Sequence, residues 1–515
     1  MPHTVTCDGT SLTVEDVVRV AREHAPVALA DDALADVEAS RSYVDDLLDS
    51  EETVYGVTTG IGELEDTAID AGDARQLQEN LLASHACGVG DPLPADVVRA
   101  MMLLRANALA KGVSGVRPAV IETLIEALNV GIVPRVPSRG SVGSSGDLVP
   151  LAHMARALTG AGKVRADEGT RPADEALAEV GIQPLTLEPK EGLALINGTQ
   201  LQAAIGCLLV QDARRAIATA CITGAMSVEG LRASRWPFDE RLRQVRPHEG
   251  ACRVAATLEA LLEDSGIMLS HRNCDKVQDP YSFRCMPQVH GAVLDAVGHL
   301  AEVLSTEINA ATDNPLVFPD DELVISGGNF HGEPLGQPIA YVASCLAKLA
   351  VASERRTSHL LQGEDIELPP FLTTGGGVNS GLMIPQYVSA SLTNENQALS
   401  HPVVADTVPT SGNQEDVNAM GAAQALHARQ ILANLETVLG IEALTAAQAI
   451  DFHAPIEPGV GVKAAHARIR EEVPALDGDR ELRPDIRTLA AMVAEGELRE
   501  AAEDTVGPLL TLEDI

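Results

Sequence analysis

Four long segments with apolar residues on most of their helical faces constrain the fold of this chain more than any other feature. They span residues 200–229, 289–310, 335–360 and 416–450. A helix that is apolar all round has to be buried, either inside a bundle or at a subunit contact. Each segment is longer than the mean helix of about 11–12 residues. We therefore predict a mainly α fold, an elongated bundle of long helices with a smaller N-terminal α-rich domain.

Shorter patterns divide the rest of the chain. Thr13 followed by Asp16 predicts a capped first helix, and the apolar spacing from Val97 to Lys111 predicts a helix that stops near Gly112. The charged, proline-bearing stretch 163–190 reads as a short hairpin with one small helix, and the tail from 465 as amphipathic helices. We place an N-terminal α-rich domain at residues 1–112 and the central bundle with the C-terminal helices at 113–515.

The charge balance narrows the partners of the protein. The net charge is −37 and the pI about 4.6. Six of the 37 basic residues are lysines. Such acidity argues against a nucleic-acid partner. Its self-repulsion is relieved when salt shortens the screening length, which is roughly 3 Å at 1 M. We therefore predict a halophilic protein from a salt-rich cytoplasm, with a generic acidic surface as the alternative.

The sequence indicates neither a membrane segment nor a metal site. The N-terminus lacks a basic stretch followed by an apolar one, and no apolar run approaches the roughly 20 residues of a membrane span. The eight cysteines are scattered and are expected to be reduced. His271 and Cys274 stand three apart, but no second pair follows at metal-binding spacing. We expect a cytoplasmic protein without a bound metal.

The loop from Gly140 to His153 reads GSVGSSGDLVPLAH and carries the chemistry. A glycine- and serine-rich loop that enters a helix is usually a turn or an anion cradle. The order Ser144-Ser145-Gly146 allows a more specific interpretation. In a tight bend the Gly146 nitrogen can approach the Ser144 carbonyl carbon, because glycine has no Cβ to obstruct it. Loss of water then closes a five-membered ring, and loss of the Ser145 hydroxyl leaves a conjugated methylene, which is a strong electrophile.

This loop resembles the signature of the aromatic amino acid lyase family, whose cofactor is methylidene-imidazolone. The match covers more than ten consecutive positions, including the GDL-x-PL that follows the triplet, and further blocks extend from about Val54 to about Gly421. The family's triplet usually begins with alanine, whereas here it begins with Ser144. That residue supplies its carbonyl to the ring, so cyclisation should survive the change. The resemblance implies deamination of an amino acid without an external cofactor, by a homotetramer.

The resemblance also assigns roles to residues outside the loop. Tyr55 in YGVTTGIG matches the general base near the substrate Cβ, and Asn197 in INGTQ matches the asparagine that holds the substrate carboxylate or the ring. Asn197 is equally interpretable as a helix cap. Implied roles for the remaining residues are polar support for Gln278, catalysis or cofactor electronics for Tyr281, carboxylate binding for Arg284 and ring packing for Phe330. A surface ion pair is the alternative for Arg284.

Two positions bear on the choice of substrate. His85 stands where histidine-specific members of the family carry a histidine, although tyrosine-specific members also use one there. Glu415 in NQED matches the glutamate of histidine-specific members, and a carboxylate suits an imidazole N–H but is left unpaired against a phenyl ring. The VNAMG that follows Asp416 looks more like the phenylalanine-specific branch. We predict histidine, with tyrosine or phenylalanine lyases, an aminomutase of the same family and a non-catalytic helical scaffold as alternatives.

Overall fold

The structure is a computed structural model that describes residues 4–50, 54, 59, 69, 73–272, 277–363 and 368–510. The chain forms two compact units. The first comprises residues 1–208, 300–340 and 402–426, and the second comprises residues 209–299, 341–401 and 427–515.

Eight helices belong wholly to the first unit, within the described residues. They are α1 (Val14–Arg22), α2 (Asp31–Leu48), α3 (Ala74–His85), α4 (Ala95–Ala110), α5 (Pro118–Asn129), α6 (Leu148–Leu158), α7 (Ala173–Glu179) and α8 (Glu191–Ile196). Its strands pair two by two: β1 (Val5–Cys7) with β2 (Val27–Leu29) in parallel, and, antiparallel, β3 (Val89–Pro92) with β4 (Pro137–Arg139), β5 (Lys163–Arg165) with β6 (Thr170–Pro172) and β7 (Leu316–Phe318) with β8 (Leu323–Ile325).

The other twelve described helices lie wholly or partly in the second unit. They are α9 (Gln200–Gly230), α10 (Glu240–Val245), α11 (Glu249–Leu261), α12 (Gly266–Ser270), α13 (Tyr281–Arg284), α14 (Met286–Glu307), α15 (Glu333–Gln362), α16 (Met383–Leu399), α17 (Gly421–Asp451), α18 (Val460–Glu472), α19 (Arg483–Glu495) and α20 (Glu497–Val506). The predicted mainly α class is confirmed. All four apolar segments form long helices, namely α9, α14, α15 and α17.

The local predictions in the first unit also hold. The Thr13 side chain accepts a hydrogen bond from the Asp16 amide while Asp16 bonds back to Thr13, which is the capping box expected at the start of α1. Helix α4 ends at Ala110, close to the predicted stop. The excursion after α6 is a hairpin, β5 and β6, followed by the small helix α7.

The compact units group the chain differently from the predicted domains of 1–112 and 113–515, and that boundary stays a prediction. Within the first unit, α4 packs against α5, and α3 packs against both α6 and α8. These contacts join residues on either side of position 112 into one core. Nearly every side chain of α4 is buried, including Arg99 and Arg105.

Helix α15 is, in the described part of the chain, the one long and apolar enough to cross a membrane by length and composition. Of its most apolar window, 67% is buried inside the protein. The helix also carries a fully buried arginine, Arg356. These features are typical of a core helix in a folded domain.

Candidate active site

The serine–glycine triplet lies in a loop whose backbone tolerates no side chain at Gly146. Gly146 has a φ of +72° and forms a parallel bridge with Gly198, while the Asp147 amide donates to the Gly198 carbonyl at 2.6 Å. A Cβ at position 146 would lie 2.2 Å from the Gly198 oxygen. Gly146 is therefore enclosed by the backbone of a second glycine, whereas the approach of its nitrogen to the Ser144 carbonyl carbon stays a prediction.

Asp147 anchors the loop to the start of α9. Its buried carboxylate accepts the backbone N–H groups of Leu201 at 2.9 Å and Gln202 at 3.1 Å, and the Ser141 hydroxyl at 2.7 Å. Burial raises the pKa of Asp147, and these hydrogen bonds oppose the increase. A carboxylate that caps the first turn of a helix also faces the positive end of its dipole. The sequence analysis missed this role, although an aspartate directly after the triplet was a usable signal.

Asn197 connects the triplet to a buried arginine. Its Nδ2 donates to the Ser145 carbonyl at 2.9 Å, and its own carbonyl accepts from Arg105 Nη1 at 2.7 Å. Asn197 directly follows α8, at its C-terminal cap position, and the alternative role as a cap of the next helix stays a prediction. Burial lowers the pKa of Arg105 to about 10, so that its side chain remains a cation at neutral pH. Arg105 was another residue that sequence reasoning did not find.

Glu415 contacts both serines of the triplet. Oε2 accepts the Ser144 hydroxyl at 2.8 Å and the Thr410 hydroxyl at 2.6 Å, whereas Oε1 accepts the Ser145 hydroxyl at 2.6 Å. Burial favours the neutral acid, but the three hydroxyl donors and the nearby His85 outweigh it and lower the pKa of Glu415. The side chain is thus a carboxylate with an ordered set of donors.

His85 is the last residue of α3 and interacts electrostatically with Glu415. Its Nδ1 lies 2.9 Å from the Leu81 carbonyl, which can only accept, so Nδ1 carries the proton and Nε2 is the acceptor of the neutral ring. Burial lowers the pKa of His85, while the Leu81 carbonyl and the Glu415 charge oppose the decrease. Near neutral pH the ring is therefore uncharged.

The loop that carries Phe330 reaches the triplet through its backbone. The Gly332 amide donates to the Gly143 carbonyl at 3.0 Å, and Phe330 itself is half-buried two residues earlier. His331 Nε2 lies 3.0 Å from the Val417 carbonyl, which joins the same loop to the chain just after Glu415. Ser144, Ser145, Asn197, Phe330 and Glu415 thus belong to one connected region of the first unit.

Gln278, Tyr281 and Arg284 lie in the second unit. Tyr281 is 71% exposed, and the Arg284 guanidinium carbon lies 4.6 Å from its ring centroid. Gln278 and Arg284 line a cavity of about 830 Å³. Arg284 Nε is buried and has no hydrogen-bond partner among the described residues. Tyr55 lies outside the described residues.

The surroundings of His271 do not support a metal-binding pair of His271 and Cys274. Both ring nitrogens of His271 lie within hydrogen-bond distance of a backbone carbonyl, Nδ1 at 2.8 Å from that of Ile267 and Nε2 at 3.2 Å from that of Ala233. Cys274 lies outside the described residues. Across the part of the chain that the structure describes, no three His, Cys, Asp or Glu side chains are grouped so as to hold a metal ion.

The sequence model of the aromatic amino acid lyases matches residues 12–471. The chain belongs to this family.

Within the family, the chain is similar to proteins named histidine ammonia-lyase. It is 47% identical over 500 residues to the one from Caldanaerobacter subterraneus subsp. tengcongensis, with 97% of this chain and 98% of the relative covered. It is also 47% identical over 494 residues to the one from Myxococcus xanthus, covering 96% and 97% of the two chains.

Two solved structures have the same fold as this chain. The histidine ammonia-lyase from Trypanosoma cruzi is 37% identical with a TM-score of 0.91, and the match covers 99% of this chain and 96% of that one. A tyrosine aminomutase from Streptomyces globisporus is 37% identical with a TM-score of 0.93, and the match covers 98% and 99% of the two chains.

Proposed function

We propose that this protein is a histidine ammonia-lyase that converts L-histidine to trans-urocanate and ammonia. The observation that carries the proposal is the position of the Glu415 carboxylate, which accepts hydrogen bonds from both serines of the triplet and interacts electrostatically with His85. A carboxylate in this position matches an imidazole N–H, whereas a phenyl ring would offer it no donor. The relatives named histidine ammonia-lyase support the same substrate.

We propose that Ser144, Ser145 and Gly146 form methylidene-imidazolone. The residues present fit this group. The atoms around Gly146 are backbone atoms of Gly198, which leaves no room for a side chain. Asn197 donates a hydrogen bond to the Ser145 carbonyl, and the Asp147 carboxylate, directly after the triplet, accepts one from the first turn of α9. The Gly146 nitrogen bonds to the Ser144 carbonyl carbon, whose oxygen leaves as water with the two amide hydrogens. Ser145 loses its hydroxyl and Cα hydrogen as the second water. The group supplies an electrophilic carbon for the substrate.

The chain's own side chains then bind the substrate and move its proton. Glu415 accepts an imidazole N–H, and the uncharged His85 ring offers its Nε2 as an acceptor next to it, which sets the orientation of the substrate ring. Arg284 binds the substrate carboxylate with its two-pronged guanidinium. Tyr55 removes the β-proton, for which its pKa has to lie below the ordinary value of about 10. Further proposed roles are polar support for Gln278, catalysis for Tyr281, positioning of the triplet for Asn197 and packing for Phe330.

We also propose a homotetramer in a salt-rich cytoplasm, with no nucleic-acid or membrane partner. The assembly is supported by family membership and by α16, which exposes Ile384, Tyr387 and Val388 at helical spacing. Exposed apolar side chains on one helical face are typical of a subunit contact. The salt-rich environment is supported by the net charge of −37.

Replacement of Ser145 by alanine tests the proposed cofactor and reaction together. The wild-type chain should weigh two waters less than its sequence and release urocanate and ammonia from histidine. Ser145→Ala should keep its full mass and lose at least about a thousandfold in turnover. The matched control is Ser40→Ala, since this buried hydroxyl donates to the Val37 carbonyl within its own helix. A wild-type chain of full mass that turns over histidine would contradict the proposal.

Product analysis separates the alternatives within the family. The structural similarity to a tyrosine aminomutase makes an isomerase the strongest second candidate. An aminomutase returns the amine to Cβ and yields a β-amino acid, whereas a lyase releases free ammonia. Parallel incubations with histidine, tyrosine and phenylalanine in concentrated salt identify the substrate. We expect ammonia with histidine and no β-amino acid with any of the three.

A further inference from the structure

The two carboxylate oxygens of Glu415 accept hydrogen bonds from different hydroxyl groups. Oε2 accepts from Ser144 and Thr410, whereas the side-chain donor on Oε1 is Ser145. Thr410 belongs to the same short loop as Glu415, and its amide donates to the Glu415 carbonyl at 3.0 Å. Ser144 comes from the triplet loop, 271 residues away in sequence, and is 4% exposed. The carboxylate is therefore fixed from two sides through one oxygen.

Formation of the cofactor removes one of these donors. Ser145 loses its hydroxyl as water, and Glu415 Oε1 then no longer accepts a hydrogen bond from Ser145. Ser144 contributes its carbonyl carbon to the ring, and its side chain stays outside, so the hydrogen bond to Oε2 can persist. The same chemistry that makes the electrophile thus vacates an acceptor next to it.

Resting on the proposed function, we propose that Ser144 and Thr410 are positioning residues that hold Glu415 through Oε2 so that Oε1 accepts the substrate imidazole N–H. Ser144 stands where the family usually has alanine, so this chain has a donor that the usual triplet lacks. A carboxylate held by two hydroxyls loses less rotational freedom on binding a ligand than one held by Thr410 alone.

The charge state of Glu415 gives this role a second signature. Its hydroxyl donors are Ser144, Ser145 and Thr410, and the titratable group that interacts with it is His85 on α3. Removal of a hydroxyl donor raises the pKa of Glu415, because the ionised form loses a hydrogen bond. Binding that needs the carboxylate should then be lost at a higher pH on acidification.

Urocanate binding to the mature enzyme tests the proposal without turnover. The probe is trans-urocanate, titrated by calorimetry into the full-length chain in ammonia-free buffer, after intact mass has confirmed the loss of two waters. In Ser144→Ala we expect the Kd for urocanate to rise about 3- to 10-fold, the size of one ordinary hydrogen bond, because the lost bond supports Glu415 and does not contact the ligand. Thr410→Val should have a similar effect, Ser144→Thr should restore binding, and Ser40→Ala should leave it unchanged.

Kinetics and pH provide the second readout. In Ser144→Ala the KM for histidine should rise by the same factor with kcat nearly unchanged, and the acid limb of kcat/KM should move to higher pH. The inference is overturned if Ser144→Ala matches the wild type in Kd, KM and acid limb, or if it retains its full mass, which would assign Ser144 to cofactor formation. A wild-type chain with neither the mass deficit nor urocanate binding would instead refute the proposed function.

Discussion

At position 146 a single added methyl group would meet backbone, not a movable side chain. The atoms nearest to a Cβ at this position would be the oxygen, carbon and nitrogen of Gly198, at 2.2–2.6 Å. The two backbone segments cannot move apart easily, because the Asp147 amide donates a hydrogen bond to the Gly198 carbonyl and the Asp147 carboxylate accepts one from α9. The glycine of the triplet is therefore required by the folded loop as well as by the proposed ring closure.

We expect Gly146→Ala to prevent loss of water from the triplet and to destabilise the protein. The left-handed backbone costs about 1 kcal/mol for alanine, and the collision with Gly198 adds about 1–3 kcal/mol. Intact mass reports the chemistry, and chemical denaturation reports the free energy of unfolding.

Gly131→Ala is the matched control for this substitution. Gly131 has a φ of +81°, but a Cβ there meets nothing within 4 Å among the described residues. It should cost only the backbone strain of about 1 kcal/mol and leave the two-water deficit intact. Equal effects of the two substitutions would contradict the importance of the contact with Gly198.

At the scale of elements, the long helices of the second unit bury an ion pair in their packed interior. Arg356 of α15 donates to Glu442 of α17, with Nη2 at 2.9 Å from Oε2, and both side chains are fully buried. Ser227 and Ser353 also donate to Glu442, at 2.8 and 2.6 Å. Such a network satisfies the buried carboxylate completely, which is the condition under which a buried charge is tolerated.

Removal of one partner of this pair should be more harmful than removal of both. Arg356→Met leaves Glu442 buried without its cation and should lower the free energy of unfolding by about 3–5 kcal/mol. The double substitution Arg356→Met with Glu442→Leu removes both charges and should cost less than Arg356→Met alone. Denaturant unfolding followed by circular dichroism measures the wild type and both variants. A double variant that is the least stable of them would show that the hydroxyl network, not the charge, dominates.

At the scale of the whole molecule, charge is the dominant property. A net charge of −37 produces self-repulsion that dissolved ions reduce. Arginine provides most of the compensating cations, and several of them bridge carboxylates, as Arg468 does between Glu471 and Glu497. Exposed ion pairs contribute about 0–1 kcal/mol each, so they do not remove the repulsion.

We expect the melting temperature to rise by about 5 °C or more as KCl increases from about 0.1 M to about 2 M, because the screening length falls from about 10 Å to below about 3 Å. Light scattering on the same samples reports the proposed tetramer. Sucrose at matched osmolality is the control, because it is excluded from the protein surface but does not screen charges. A melting temperature that rises equally in sucrose and KCl would contradict the electrostatic explanation.

Local sequence determined the features that depend on neighbours along the chain. Apolar spacing placed the long helices, Thr13 and Asp16 marked the start of α1, and the triplet order indicated the reactive loop. The predictions of the long helices and of the α1 start are confirmed because helix periodicity and capping act over a few residues, and the reactivity of the loop stays a prediction. Tertiary structure alone decided that Asp147 caps α9, that Arg105 supports Asn197, and that Glu415 meets Ser144 from 271 residues away. A hydrogen bond requires heavy atoms within about 3 Å, and for residues so distant in sequence only the folding of the core brings them that close.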